Sequence, residues 1–324
     1  MPNKSDHIIS SLNALGKEKV PFLFVFDFLC EKPIIIKLKE IDNKAVMYSV
    51  NGITNAQSYD FGNRPLSFDV EVVGKSRYRK AFDIVQRHIR HGDSFLLNLT
   101  FPSPIESNFG LKDIFYASKA KYKLWVKDGF VVFSPEIFVR TKNNIISSFP
   151  MKGTIDADVP EAEEKLLSSE KELAEHYTIV DLIRNDLSIV SKNVRVERFR
   201  YLEKIKTNRG NLLQMSSKVS GDLTVGWQEN LGGILMRLLP AGSISGAPKK
   251  KTIEIIKKTE KYDRGYYTGV FGIFDGENID SGVMIRFVEK TDSGLIYKSG
   301  GGITARSDPE EEYDELLQKV YVPL

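Results

Sequence analysis

One lysine and one glutamate in a short stretch are the side chains best suited to covalent and acid chemistry. The segment FSPEIFVRTKNNIISSFPMKGT, residues 133–154, carries Glu136 and Lys152 on either side of Asn143-Asn144. Apolar, β-branched runs flank the two asparagines, and asparagine tolerates positive φ, so the pattern predicts a hairpin with a two-residue turn. Pairing Lys142 with Ile145 sets Glu136 opposite Met151, next to Lys152. Pro150 has no N–H for the ladder, so pairing is expected to break there, which lets Lys152 turn toward Glu136. A lysine held out of water can become a nucleophile, and a carboxyl held out of water can keep its proton and act as an acid. The residue types alone also fit a solvated surface hairpin, the usual setting of Lys and Glu.

Two acidic pairs come next. Glu172 and Glu175, and again Glu312 and Glu315, stand three residues apart in segments that read as helices, so each pair shares a face. Like charges so placed invite a cation, and hard oxygen donors suit Mg²⁺, which keeps several waters and takes one or two carboxylates directly. A solvated helix face is the alternative for either pair. The run GGGITARS, 300–307, starts a Gly-x-Gly-x-x-Ala pattern between a strand and a helix. Neither a parallel strand nor an acidic ribose ligand follows before Leu324, so a dinucleotide site is rejected. What remains is backbone that can approach an anion closely, or a simple turn. PAGSISGAPKKK, 240–251, fails as a P-loop in its spacing from Gly242 to Lys249 and in lacking Ser or Thr after that lysine. The lysines from Lys249 to Lys261 have no interleaved aromatics for stacking and fit a solvated helix face better than a nucleic-acid patch. His7, His88, His91 and His176 show no zinc spacing.

The elements that must hold these groups mix strands and helices. A buried strand is expected over 21–30, paired with 34–38, then an amphipathic helix over 76–91 and the strand FLLNLTF. A helix over 169–190 opens on Ser169 with Glu172 three residues on, a capping-box signature. Strands around Val194 and Val219, a helix over 231–239 and a lysine-rich helix follow. Further strands are expected around Val270, over 283–288 and over 295–298, and a last helix from Pro309. With no regular βαβ rhythm, the fold class is α+β with mostly antiparallel sheet, in one domain over 1–324. At 41% hydrophobic and 27% charged residues, with a net charge of +3, the composition is that of a soluble globular chain and argues against a nucleic-acid partner. The lone Cys30 excludes a disulfide framework and fits a reducing compartment. PFLFVFDFLC is too short for a bilayer and is interrupted by Asp27, so the expected location is cytoplasmic, with no membrane partner.

The motifs GDSFLLNL, SPE, PMKGT, KELAEHYTIVDLIRND, PAGSISGAPK, RGYYTGVFG, MIRF and GGGITARSDPEEEYDELLQK stand in one order over most of the chain, most densely over 92–319. Together they resemble the chorismate-utilising enzyme family. The resemblance implies two packed, mostly antiparallel β-sheets with flanking helices around a deep cleft. It implies that Glu175 and Glu315 bind Mg²⁺ directly and that Glu172 and Glu312 hold its waters. Gly153, Thr154, Gly300, Gly302 and Lys319 would surround the ring carboxylate of chorismate, and Tyr267 and Arg286 would take the enolpyruvyl carboxylate. Glu136 would be the acid and Lys152 the nucleophile, with a raised pKa for the first and a depressed pKa for the second through desolvation. Family members that make anthranilate generally have Ala at the position of Lys152, whereas members that make 4-amino-4-deoxychorismate typically have this Lys. Isochorismate and salicylate synthases place a water-activating Lys where this chain has Leu96.

The resemblance therefore points to an aminodeoxychorismate synthase component I, a Mg²⁺-dependent amination of chorismate that feeds p-aminobenzoate and folate synthesis. Anthranilate synthesis is the alternative within the class, and a nucleic-acid-binding module the alternative outside it. Leu96 in place of Gln, and Gln214 in place of His within LLQMSSKV, depart from the family pattern and bear on the handling of ammonia. No glutaminase module fits around the single cysteine, so ammonia is expected from a separate glutamine amidotransferase subunit. No fused lyase is expected, and the product released would be aminodeoxychorismate.

Overall fold

The structure, a computed structural model, describes residues 4–59, 65–207 and 210–323. The strand Phe22–Phe26 (FLFVF) shows no polar alternation because both of its faces are covered. Leu23 and Val25 enter a layer with Val46, Tyr48, Leu124 and Val132, which joins the two sheets face to face. Phe22, Phe24 and Phe26 point the other way, into a core shared with Leu12, Val85, Leu235 and Ile256 of the flanking helices. This strand pairs antiparallel with Ile34–Lys37, as its sequence suggests, and with Val270–Phe274 on its other side. The apolar run extends to Cys30, but the strand stops at Phe26. The Asp27 carboxylate accepts the backbone N–H groups of Glu31 at 3.2 Å and Lys32 at 2.6 Å, which folds the chain into a turn where Cys30 has φ +58°.

Two sheets of nine strands each form among the described residues. One runs, in spatial order, Met151–Asp156, Gly210–Asp222, Ile145–Ser148, Ile137–Lys142, Ile279–Val283, Val270–Phe274, Phe22–Phe26 and Ile34–Lys37, with Lys192–Thr207 also on Gly210–Asp222. The other runs Gly246–Ala247, Leu96–Ser107, Gly294–Thr304, Phe287–Thr291, Phe130–Ser134, Tyr122–Val126, Val46–Val50 and Ile53–Thr54, with Phe68–Val70 also on Leu96–Ser107. The fold is α+β, with two antiparallel sheets flanked by helices. Among the described residues no helix is long and apolar enough to cross a membrane.

Three departures from the sequence reading matter for the site. The hairpin forms with Lys142 opposite Ile145 and with Asn143 and Asn144 at φ +53° and +58°. After Pro150, however, the chain leaves its hairpin partner, and Met151 pairs with Ser216 instead of facing Glu136. Residues 283–288 read as one apolar strand but belong to two: Ile279–Val283 ends in one sheet, Phe287–Thr291 begins in the other, and Arg286 turns the corner at φ +54°. The glycines of 300–302 are neither a loop nor a turn; they lie inside the strand Gly294–Thr304, with Gly300 opposite Thr100 and Gly302 opposite Asn98.

The two acidic helices are Glu170–Ser188 and Pro309–Gln318. Ser169 caps the first, its hydroxyl accepting the Glu172 N–H at 3.3 Å. Asp308 caps the second, accepting the N–H groups of Glu310 at 2.8 Å and Glu311 at 3.2 Å, with Pro309 in the first turn. Both starts follow from ordinary N-cap chemistry, in which a side-chain oxygen takes an orphan backbone donor.

Candidate active site

The strand Met151–Asp156 is irregular between Met151 and Thr154, and Gly153 sits in the break at φ +86°. A Cβ there would lie 2.9 Å from a Glu172 carboxylate oxygen, so both the backbone angle and the close approach require glycine. The same break turns Lys152 toward the first acidic helix, where its Nζ meets Glu175 Oε2 at 2.7 Å. A side-chain ion pair of Lys171 with Glu311 bridges the two acidic helices near this point. Lys319, just past the second helix, pairs with Glu315 and donates to the Gly300 carbonyl at 3.2 Å. Glu312 is 3% exposed and accepts the Ser307 hydroxyl at 2.8 Å.

The four carboxylates thus share one partly buried neighbourhood, and Glu172, Glu312 and Glu315 register it in their titration. Burial, followed by repulsion from Glu175, holds Glu172 above the ordinary carboxylate value. Burial and then Glu315 do the same to Glu312. For Glu315 the cost of burial is outweighed by Lys319 and Lys152, and its pKa falls. Lys152 corrects the sequence expectation. Desolvation is the largest single influence on it and pulls its pKa down, but Glu175, Glu315 and Glu312 together outweigh burial and leave the pKa raised. Among the described residues no three acidic, histidine or cysteine side chains converge closely enough to enclose a metal ion. The donor set nonetheless fits Mg²⁺ chemically: it is all oxygen and carries more carboxylates than the two lysine ammonium groups that now pair with it.

Glu136 stands at the entrance to the strand Ile137–Lys142, with its carbonyl accepting the Val283 N–H at 3.1 Å. Its Oε1 accepts the hydroxyl of Ser243 at 2.6 Å. Burial raises its pKa, against the opposing pull of Ser243, Lys319 and Lys152, which is the direction an acid needs. Both lysines therefore act on Glu136, although the hairpin register does not pair it with Lys152. Thr154 is exposed in its strand opposite Gln214. A Cβ on Gly302 would approach Leu96 Cδ1 at 3.2 Å and Lys152 Nζ at 3.8 Å, while one on Gly301 would approach Glu312 at 3.5 Å and Lys319 at 3.8 Å. The glycine strand thus runs bare between the two lysines, with Gly302 toward Lys152 and Gly301 toward Lys319 on the opposite face. Gly301, absent from the sequence-derived set, belongs with Gly300 and Gly302.

Arg286 donates to the Lys319 carbonyl at 2.5 Å and lies over the Tyr321 ring at 4.6 Å, while its buried Nε has no partner. An unpaired guanidinium donor is a ready point for a carboxylate. Tyr267 is 2% exposed and packs against Phe287 at 5.8 Å, and burial raises its phenol pKa. Leu96 is buried at the mouth of its strand against Ile179, Leu182 and Ala247.

Sequence reasoning missed three groups beside the site. Ser243 comes from PAGSISGAPK, a motif tested there only as a phosphate loop. Lys249, the lysine of that motif, is no part of a basic patch: it pairs with Asp186 at 2.9 Å and donates to the Leu238 carbonyl at 2.8 Å. His176, adjacent to Glu175, is fully buried, bonds Ser217 Oγ at 2.6 Å, and is held neutral by burial and Arg200, which lower its pKa to about 4.

Residues 31–324 match the family described as chorismate binding enzyme. The chain is 50% identical over 317 residues to an uncharacterized PabA-like protein of Pasteurella multocida, covering 98% of each. It is 34% identical to an anthranilate synthase component 1 of Acetivibrio thermocellus over 72% of its own length, and 30% identical to an aminodeoxychorismate synthase component 1 of Bacillus subtilis over 75%. It spans about half of each of those two proteins, 49% and 54%. Among solved structures, the anthranilate synthase component I of Streptococcus pneumoniae superposes with a TM-score of 0.66 at 27% identity, covering 80% of this chain and 60% of that one. The menaquinone-specific isochorismate synthase of Escherichia coli shares the fold with a TM-score of 0.73 at 14% identity, over 98% of this chain and 80% of its own. Four glutamates on two helices, two lysines on either side of a bare glycine strand and a glutamate set apart from them thus sit on a fold shared with these proteins, and the chain belongs to the chorismate-binding enzymes.

Proposed function

We propose that the chain aminates chorismate to 4-amino-4-deoxychorismate, as component I of an aminodeoxychorismate synthase. The observation that carries this reading is Lys152, a largely buried amine beside Gly302 and the carboxylate cluster, at the position where anthranilate-forming members have Ala. Arg286 and Lys319 offer two cationic centres for the two carboxylates of chorismate, with Tyr267 beside the first. Glu136, whose pKa burial raises, gives its proton to the hydroxyl on carbon 4, which leaves as water. Lys152, leaving Glu175, loses a proton to solvent, and the neutral amine attacks carbon 2 as that C–O bond breaks; the ammonium later formed on carbon 4 returns a proton to the Glu136 carboxylate. Ammonia then attacks carbon 4, the bond from carbon 2 to the lysine nitrogen breaks, and the amine is returned. Glu175 and Glu315 would hold Mg²⁺ directly, with Glu172 and Glu312 on its waters, and the ion would offset carboxylate charge. Leu96 cannot activate water, which disfavours an isochorismate product.

Ammonia comes from a separate glutamine amidotransferase subunit in this reading. Burial and Asp27 push the Cys30 thiol up to about 12, which makes it a poor glutaminase nucleophile. A second reading keeps the substrate and ends in anthranilate; it is favoured by the several relatives named anthranilate synthase component 1. Product identification decides between them. Purified protein with chorismate, Mg²⁺ and ammonium should yield aminodeoxychorismate by mass spectrometry and no anthranilate fluorescence, and glutamine should not replace ammonium. Anthranilate as the main product would establish the second reading.

A further inference from the structure

Ser243 sits on the short turn Gly242–Ser245, and that turn is braced from behind. Asp186, 8% exposed near the end of the first acidic helix, pairs with Lys249 at 2.9 Å on the far side of the turn. The backbone N–H of Gly242 also bonds Asp186, and a Cβ at Gly242 would fall 2.7 Å from its Oδ2. Glu136, Ser243, Gly242 and Asp186 line one narrow cavity, walled by Ile183 and Leu238. A carboxyl group has two oxygens, and a proton is delivered only from the one aimed at its acceptor. Ser243 donates to Oε1, so the acid proton belongs on Oε2.

We propose that Ser243 is a positioning residue that selects which oxygen of Glu136 carries the proton, and that the Asp186–Lys249 pair holds it in place. This rests on the reading of Glu136 as the acid in chorismate amination. It also gives a task to the Asp of IRND and the Lys of GAPK, neither of which touches the carboxylate cluster. The charged groups that act on Glu136 are Lys152 from its strand and Lys319 from the end of the second acidic helix; Asp186, facing the same cavity, is paired by Lys249.

Ser243→Ala and Ser243→Thr, with Lys249→Met for the brace, test the proposal in the Mg²⁺- and ammonium-supplied enzyme. Ser243→Ala should lose roughly tenfold to a hundredfold in kcat with KM for chorismate changed less than about twofold. Its high-pH limb should move up, because the lost hydrogen bond favoured the ionised carboxylate. Ser243→Thr should restore both, and Lys249→Met should show the same limb shift to a smaller extent. An unshifted limb in Ser243→Ala, or a loss that Thr does not rescue and that raises KM, overturns the proposal. Full activity in Glu136→Gln overturns the acid reading and this proposal together. A silent Glu136→Gln beside an unaltered Ser243→Ala overturns this proposal alone.

Discussion

Removing Lys152 should destabilise the metal-free protein, in a way that pH and Mg²⁺ can reverse. In Lys152→Ala, Glu175 loses its partner at 2.7 Å and is left beside Glu172, Glu312 and Glu315. Breaking a buried ion pair by removing one member costs about 3–5 kcal/mol. The Lys152 side chain is 24% exposed and that of Glu175 12%, so water reaches the stranded charge and the cost falls to roughly 2–3 kcal/mol. In a chain of this size that lowers Tm by about 3–4 °C. The pH dependence has a definite sign. Lys152 lowers the pKa of Glu172, Glu312 and Glu315, so its removal raises all three. A carboxyl whose folded pKa lies above its unfolded value contributes stability below the unfolded value and loses it as pH rises through the folded one. The deficit should therefore be largest in mildly alkaline buffer and should close as the pH falls toward the ordinary carboxyl value of 4.5. Thermal melts of wild type and Lys152→Ala across pH, with and without Mg²⁺, make the measurement. The ion should raise the Tm of the variant more than that of wild type. Equal melting in alkaline buffer, or a deficit that does not vary with pH, refutes the electrostatic coupling of Lys152 to the acidic helices.

Other outcomes follow from the same geometry. Glu175→Gln and Glu315→Gln should lose Mg²⁺ binding by calorimetry and Mg²⁺-dependent activity, while Glu170→Gln, off the shared face, keeps both; equal loss in all three would point to general destabilisation. Glu136→Gln should lower the rate by a factor of about 10² to 10⁴ with chorismate still bound, and a smaller loss would remove it as the acid. Cys30, with its thiol pushed up to about 12 by burial and Asp27, should resist iodoacetamide at neutral pH, and labelling within minutes would contradict its enclosure.

What the sequence disclosed was local. The Asn143-Asn144 turn, the Ser169 cap, the start at Pro309 and the three-residue spacing of the glutamates are each written within a few residues, and each is found as expected. What it hid depends on distant partners. Nothing near Pro150 says that Met151 will pair with Ser216, and nothing near Lys152 reveals the three carboxylates that keep it charged. Ser243 meets Glu136 across 107 residues, so no window of sequence contains both. The corner at Arg286 was masked by its own composition, because the apolar run through it satisfies two strands in different sheets as readily as one.

The pairing of Phe22–Phe26 with Val270–Phe274 carries a consequence for biosynthesis. Phe22 lies opposite Phe274, so a fully buried strand next to the edge of one sheet leaves the ribosome long before this partner exists. At about 5–20 residues per second, translation of the intervening residues takes on the order of tens of seconds. Throughout that interval FLFVF has only Ile34–Lys37 to pair with, and its other edge offers unpaired N–H and C=O groups beside aromatic side chains. This pairing is long-range, and the open edge of the strand stays exposed to mispairing until Val270–Phe274 emerges to close it.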